Sequence, residues 1–127
     1  MGAYMTGVKS RNEVLSMDGN TRAQGAYAPT TLNGVSNGKN NCPAPGTTNG
    51  ASVPTILEQA IAKGKATGVV TTARLTHATP AATYSHICNR NAEYDIAAQA
   101  VPGGAGYNAA LGNGIDVLMG GTSYFWT

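Results

Sequence analysis

The chain has 127 residues, enough for one modest domain or for part of a larger one. Its 42% hydrophobic content excludes a disordered tail, and a net charge of +2 with no basic run excludes an extended nucleic-acid surface. Charged residues are only 11%, and no apolar run approaches the roughly 18 residues that a membrane-spanning helix needs.

Residues 1–17 read as the end of a helix with a short extension. Residues 18–51 are rich in Gly, Asn, Thr and Pro and hold the turn dipeptides Asn33-Gly34, Asn37-Gly38 and Asn49-Gly50. A loop this long is either functional or an insertion. Order resumes at Ser52, which is suited to cap a helix with Pro54 in its first turn. Val53, Ile56, Leu57, Ala60 and Ile61 then recur at helical spacing, and Gly64 supplies a left-handed stop. The β-branched stretch Gly68–Thr72 predicts a short buried strand. Thr79 is placed to cap a further helix with Pro80 at its first position, running through Ala81, Tyr84 and Cys88 to about Arg90. A short helix follows at Tyr94–Gln99, then a turn at Pro102-Gly103-Gly104 and a helical piece at Tyr107–Leu111. Ile115–Met119 predicts a second buried strand. The chain begins without a clear element start and stops just past this strand, which reads as an internal piece of a longer protein.

The order helix, strand, helix, strand predicts an α/β fold with a parallel sheet. Ligands in such sheets bind beyond the carboxyl ends of the strands, where helix N-termini also point. Residues 74–80 are therefore the first candidate site. The two cysteines, Cys42 and Cys88, have no CxxC spacing; one disulfide and two free thiols are both open. His86 falls mid-helix and, lacking a recognised ligand spacing with His77, is assigned a structural role. Glu93, Asp95 and Asp116 show no paired arrangement for acid–base work and read as surface or strand-edge charges. Tyr4, Tyr84 and Tyr107 read as packing residues.

The run Thr67-Gly68-Val69-Val70-Thr71-Thr72-Ala73-Arg74-Leu75-Thr76-His77-Ala78-Thr79-Pro80-Ala81-Ala82-Thr83-Tyr84-Ser85-His86, continuing through Asn89-Arg90-Asn91, closely resembles the bacterial alkaline phosphatase family. Pro54-Thr55-Ile56-Leu57-Glu58, Thr6-Gly7-Val8-Lys9 and Asp116-Val117-Leu118-Met119-Gly120-Gly121 resemble it too, in family order. Together they span most of the chain outside the 18–51 loop.

The resemblance implies part of a doubly wound, mostly parallel sheet with flanking helices, in which 18–51 is a loop-rich insertion and 52–119 an α/β core segment. It implies a fragment of the catalytic domain of a metal-dependent phosphomonoesterase acting through a phosphoseryl intermediate with Zn2+ and Mg2+. The family's serine, in an Asp-Ser-Ala pattern, belongs a few residues before the Thr-Gly-Val-Lys segment, so no nucleophile is expected in this chain. The isolated fragment is expected to be inactive. Arg90 matches the arginine that clamps two phosphate oxygens, a task suited to a planar guanidinium. Thr79 matches a hydroxyl ligand of magnesium. His77 stands where members carry aspartate or histidine, and histidine implies contact with magnesium through water. Imidazole favours zinc over magnesium, which leaves the metal preference there open. Cys42 falls in a loop where animal-type members carry a disulfide cysteine; their partner position is not matched here, and Cys42–Cys88 is another pairing.

For the parent protein the resemblance implies a phosphate monoester substrate, a homodimer and a periplasmic or secreted location. It implies no specific nucleic-acid partner and no membrane span. A non-catalytic binding or structural module built on the same scaffold is the alternative. A phosphodiesterase- or sulfatase-like hydrolase on the same core lacks the context of Arg90.

Overall fold

The computed structural model describes residues 1–23 and 50–126, together with the backbone of two short strands between them. In chain order the elements are helix α1 (Gly2–Thr6), strands β1 (Thr31–Leu32) and β2 (Val35–Ser36), helix α2 (Ile56–Ala62), strand β3 (Gly68–Arg74), helices α3 (Ala78–Ala81) and α4 (Glu93–Ala100), and strand β4 (Val117–Gly121). Single turns of 3-10 helix lie at Ala109–Leu111 and Tyr124–Trp126. β3 and β4 pair in parallel, Gly68 opposite Val117 and Val70 opposite Met119, with a register shift before Arg74 meets Gly121. β1 and β2 pair antiparallel. The chain is thus α/β with a parallel sheet, as its element order predicts.

α2 starts at Thr55, not Ser52. Thr55 accepts from the Glu58 amide while the Glu58 side chain accepts from the Thr55 amide, so each satisfies an orphan helix-end donor. Ser52 instead bridges to Met17 and donates to its sulfur. The helix ends as its glycine predicts. Gly64 has φ +68°, its amide bonds Ile61 O at 2.8 Å, and the Lys65 amide bonds Ala60 O at 3.0 Å. α4 has Glu93 and Asp95 in its first turn, which suits the positive helix end, and buries Ile96, Ala97 and Ala100 on one face. It stops at Val101, held extended because Pro102 follows.

The helix expected to run from Thr79 to about Arg90 is only α3. His77 is its N-cap without a side-chain cap bond, and Thr79 and Pro80 lie inside its first turn. Pro80 is tolerated there because first-turn amides have no intrahelical partner. The early stop has a tertiary cause. The carbonyls of Ala82, Thr83 and Tyr84 accept from Ser16 Oγ at 2.7 Å, Thr55 Oγ1 at 2.7 Å and Asn108 Nδ2 at 2.9 Å. Ile87 then leaves the helical path to exchange backbone bonds with Leu15 at 2.8 and 3.0 Å.

The core gathers Leu15, Leu57, Val69, Tyr84, Ile87, Ile96 and Leu111 with the small residues Ala81, Ala82 and Ala92. The two strands are not buried throughout, contrary to the reading of 68–72 and 115–119. Val69 is 7% exposed but Val70 is 72% and Met119 61%. Side chains alternate across a strand, and one face of this pair packs on the core while the other meets no described element. β4 also begins two residues later than expected and takes in Gly120 and Gly121. A Cβ at Gly120 would stand 2.8 Å from side-chain atoms of Leu75 and Thr71, so the glycine permits close approach.

The turn dipeptides Asn37-Gly38 and Asn49 lie outside the described residues, as does Asn33-Gly34 between β1 and β2. Cys88 is buried and disulfide-bonded. Cys42 lies outside the described residues.

Candidate functional site

β3 delivers the chain to its carboxyl end, where the turn at 75–77 leads into α3. The amide of His77 bonds Arg74 O at 2.9 Å, and the Tyr84 hydroxyl donates to Leu75 O at 2.9 Å from the core. These bonds hold the turn that carries Thr79. The second arm of the site comes from the segment after Ile87. The Arg90 amide bonds Glu13 O at 2.8 Å, extending the Leu15–Ile87 pairing and placing Arg90 beside residues 9–15.

Thr79 and Arg90 line one cavity of about 280 Å³, with Lys9, Arg11 and Glu13 on its wall and Met1–Ala3 at its edge. Its charged lining is three cations against one carboxylate, which favours an anion. Thr79 is exposed and Arg90 half-buried. Among the described residues neither side chain has a hydrogen-bond partner, so a hydroxyl and a guanidinium are open to a ligand. A second hollow of about 650 Å³ shares the wall Lys9–Asn12 and adds Arg22. Arg11 is oriented there by its Nε–H bond to Gly19 O at 3.0 Å.

His77 caps α3 two residues before Thr79 and does not line the cavity. The structure therefore brings Thr79 and Arg90 together and leaves His77 to one side. No three His, Cys, Asp or Glu side chains converge among the described residues. The hydroxyl of Thr79 and the imidazole of His77 do not by themselves fit a zinc or magnesium centre.

Two arrangements escaped the sequence reading. Glu93 is not a plain surface charge: its carboxylate accepts from Arg74 through two guanidinium nitrogens at 3.0 and 2.8 Å, and from Thr76 Oγ1. The pair holds the Arg74 guanidinium above its ordinary pKa. Glu58 is 4% exposed and accepts from the Thr55 amide, from His86 Nε2 at 2.6 Å and from Asn108 Nδ2 at 2.6 Å. His86 is structural, as expected. Tyr84 and Tyr107 pack on the core, whereas Tyr4 is 87% exposed. Asp116 is exposed and accepts from the Thr67 amide at 2.7 Å, as a strand-edge charge does. No sequence signal links Arg74 to Glu93, which stand 19 residues apart.

The fold and this cavity define an α/β protein with a parallel sheet and a cationic site beyond the carboxyl end of a strand. The profile of the alkaline phosphatase family matches residues 1–127, and the chain belongs to that family. It is 45% identical to alkaline phosphatase 4 of Drosophila melanogaster over 76 residues, covering 54% of this chain and 13% of that protein. Alkaline phosphatase 3 of Bacillus subtilis is 44% identical over 75 residues, covering 57% of this chain and 15% of that one. The alkaline phosphatase from the Antarctic bacterium TAB5 shares the fold, with a TM-score of 0.64 at 24% identity, over 99% of this chain and 26% of that structure. The chain thus spans about a quarter or less of the length of these relatives.

Proposed function

We propose that the protein to which this chain belongs hydrolyses phosphate monoesters, with Arg90 holding two oxygens of the transferring phosphate. The observation that carries the reading is the cavity where Arg90 and Thr79 meet under a surplus of positive charge. A guanidinium presents two parallel N–H donors to two phosphate oxygens, and such donors act most strongly where negative charge develops. Lys9 and Arg11 draw the dianion towards that donor pair.

The rest of the reading comes from the family resemblance. It includes a phosphoseryl intermediate on a serine outside these residues, and Zn2+ and Mg2+ held mainly by residues other than those described. Thr79 is proposed as one hydroxyl ligand of the magnesium, and His77 as a contact through water. A homodimer and a periplasmic or secreted location belong to the same reading. The disulfide at Cys88 supports an oxidising compartment. Among the described residues no helix is long and apolar enough to cross a membrane.

The test uses nitrophenyl phosphate. The 127-residue chain alone, supplied with zinc and magnesium, is expected to release no nitrophenol. In the longer protein Arg90→Ala is expected to lower kcat/KM by roughly a hundredfold, the loss of one charge-directed donor pair. Arg90→Lys recovers little, because an ammonium cannot bond two oxygens in one plane. An Arg90→Ala enzyme with unchanged kcat/KM would sink the role of Arg90. A longer protein without any phosphatase activity would leave the non-catalytic binding module in its place.

A further inference from the structure

The carboxylate of Glu93 stands between the two arms of the candidate site. It opens α4, three residues after Arg90. Its Oε2 accepts from Arg74 Nε at 3.0 Å and its Oε1 from Arg74 Nη2 at 2.8 Å. Its Oε2 also accepts from Thr76 Oγ1. Arg74 ends β3, and the fully buried Thr76 directly precedes His77, the cap of α3. The Glu93 side chain is only 12% exposed. A planar guanidinium set on a carboxylate through two nitrogens fixes direction as well as distance, which a single contact does not. Three bonds from one carboxylate therefore brace the turn that carries Thr79 against the start of the helix that follows Arg90. On its other side Arg90 is held through backbone, by the bond of its amide to Glu13 O and the nearby Leu15–Ile87 pairing.

The geometry points to Glu93 as a positioning residue that, through Arg74 and Thr76, sets the separation of Arg90 and Thr79. The inference rests on the reading of Arg90 as the phosphate clamp. Glu93 does not line the cavity and touches no substrate. Its effect is on where the guanidinium waits, and a displacement of about 1 Å at such a group is enough to cost a large factor in rate or binding.

The experiment uses the longer phosphatase that contains this chain, with inorganic phosphate as inhibitor and nitrophenyl phosphate as substrate. Glu93→Ala and Arg74→Ala are each expected to raise the phosphate Ki and the KM on the order of tenfold, with kcat changed less. The double variant adds little to either single one, since both remove the same brace. Arg74→Lys is intermediate, because lysine keeps the charge and loses the paired geometry, and it serves where an alanine variant fails to fold. A fall in melting temperature with the phosphate Ki within about twofold of the parent would make Glu93 a stabilising residue only and overturn the inference. Arg90→Ala is run beside them. If it raises Ki while Glu93→Ala and Arg74→Lys do not, the positioning role alone fails; if Arg90→Ala leaves Ki unchanged, the phosphate clamp fails and the inference with it.

Discussion

His86 shows how much a single side chain decides. Its Nδ1 faces the carbonyl oxygen of Ser16 at 2.7 Å and its Nε2 faces Glu58 Oε1 at 2.6 Å. A carbonyl only accepts, so Nδ1 donates to Ser16, and when the ring is protonated Nε2 donates to the Glu58 carboxylate. Burial opposes charge on both groups. On Glu58 the bonds from His86, the Thr55 amide and Asn108 prevail and lower its pKa. On His86 the bonds to Glu58 and Ser16 prevail and raise it. The sign follows for each. The Glu58 contribution is present above its ordinary value of 4.5 and is lost as pH falls through its lowered folded value. The His86 contribution is complete below its ordinary value of 6.5 and is lost as pH rises through its raised folded value. The pair therefore stabilises the chain most between those two ordinary values. His86→Ala strands a buried carboxylate and is expected to cost about 3–5 kcal/mol in urea unfolding at pH 6. The loss of stability on going to alkaline pH that this pair produces is expected to vanish in the variant.

At the scale of the element, α2 is the part whose local chemistry is most complete. Thr55 is fully buried, caps the helix and also donates to Thr83 O, so it ties α2 to the segment after α3. Thr55→Ala is expected to cost roughly 1–2 kcal/mol, read as a lower denaturation midpoint, and Thr55→Ser should recover most of it. Gly64 stands at φ +68° in open space, so Gly64→Ala meets no clash and isolates the backbone strain. That strain is about 1 kcal/mol for a residue with a Cβ. α3 is the contrasting case. Its sequence favours a longer helix, yet distant donors take three successive carbonyls that a helix would need. Once these are bonded outside the helix, the chain turns to lay Ile87 against Leu15 and carry Arg90 towards residues 9–13.

At the scale of the whole molecule, the two-stranded sheet is packed, among the described residues, on one face. Val69 and Leu118 belong to the core, while Val70, Val117 and Met119 are exposed. Substitutions at adjacent residues of one strand should then differ sharply in the 127-residue chain. Val69→Ala is expected to destabilise it by about 2 kcal/mol. Val70→Thr should stay within about 0.5 kcal/mol, as surface changes do. Equal losses at both positions, measured by chemical denaturation, would show that the outer face is covered in solution. The composition carries no hint of this division, because β-branched residues suit either face of a strand.

What the residues determine by themselves is local or is written in one continuous run. The helical spacing of Ile56–Ile61, the left-handed stop at Gly64 and the turn at Pro102-Gly103-Gly104 are legible because each depends on neighbours within a few positions, and the parallel pairing is legible from the order of the elements. The run from Thr67 to Asn91 is enough to mark the family and to single out Thr79 and Arg90. What only the tertiary structure decides depends on partners far along the chain. Ser16 reaches Ala82 across 66 residues, Thr55 reaches Thr83 across 28 and Asn108 reaches Tyr84 across 24. Those contacts take the carbonyls that would continue α3, and the Leu15–Ile87 pairing then carries Arg90 to the cavity with Thr79; in the same way Glu58 meets His86 across 28 residues and Glu93 meets Arg74 across 19. Hydrogen-bond donors and charges act over a few ångströms of space whatever their separation in sequence, and periodicity holds no record of which distant groups will meet.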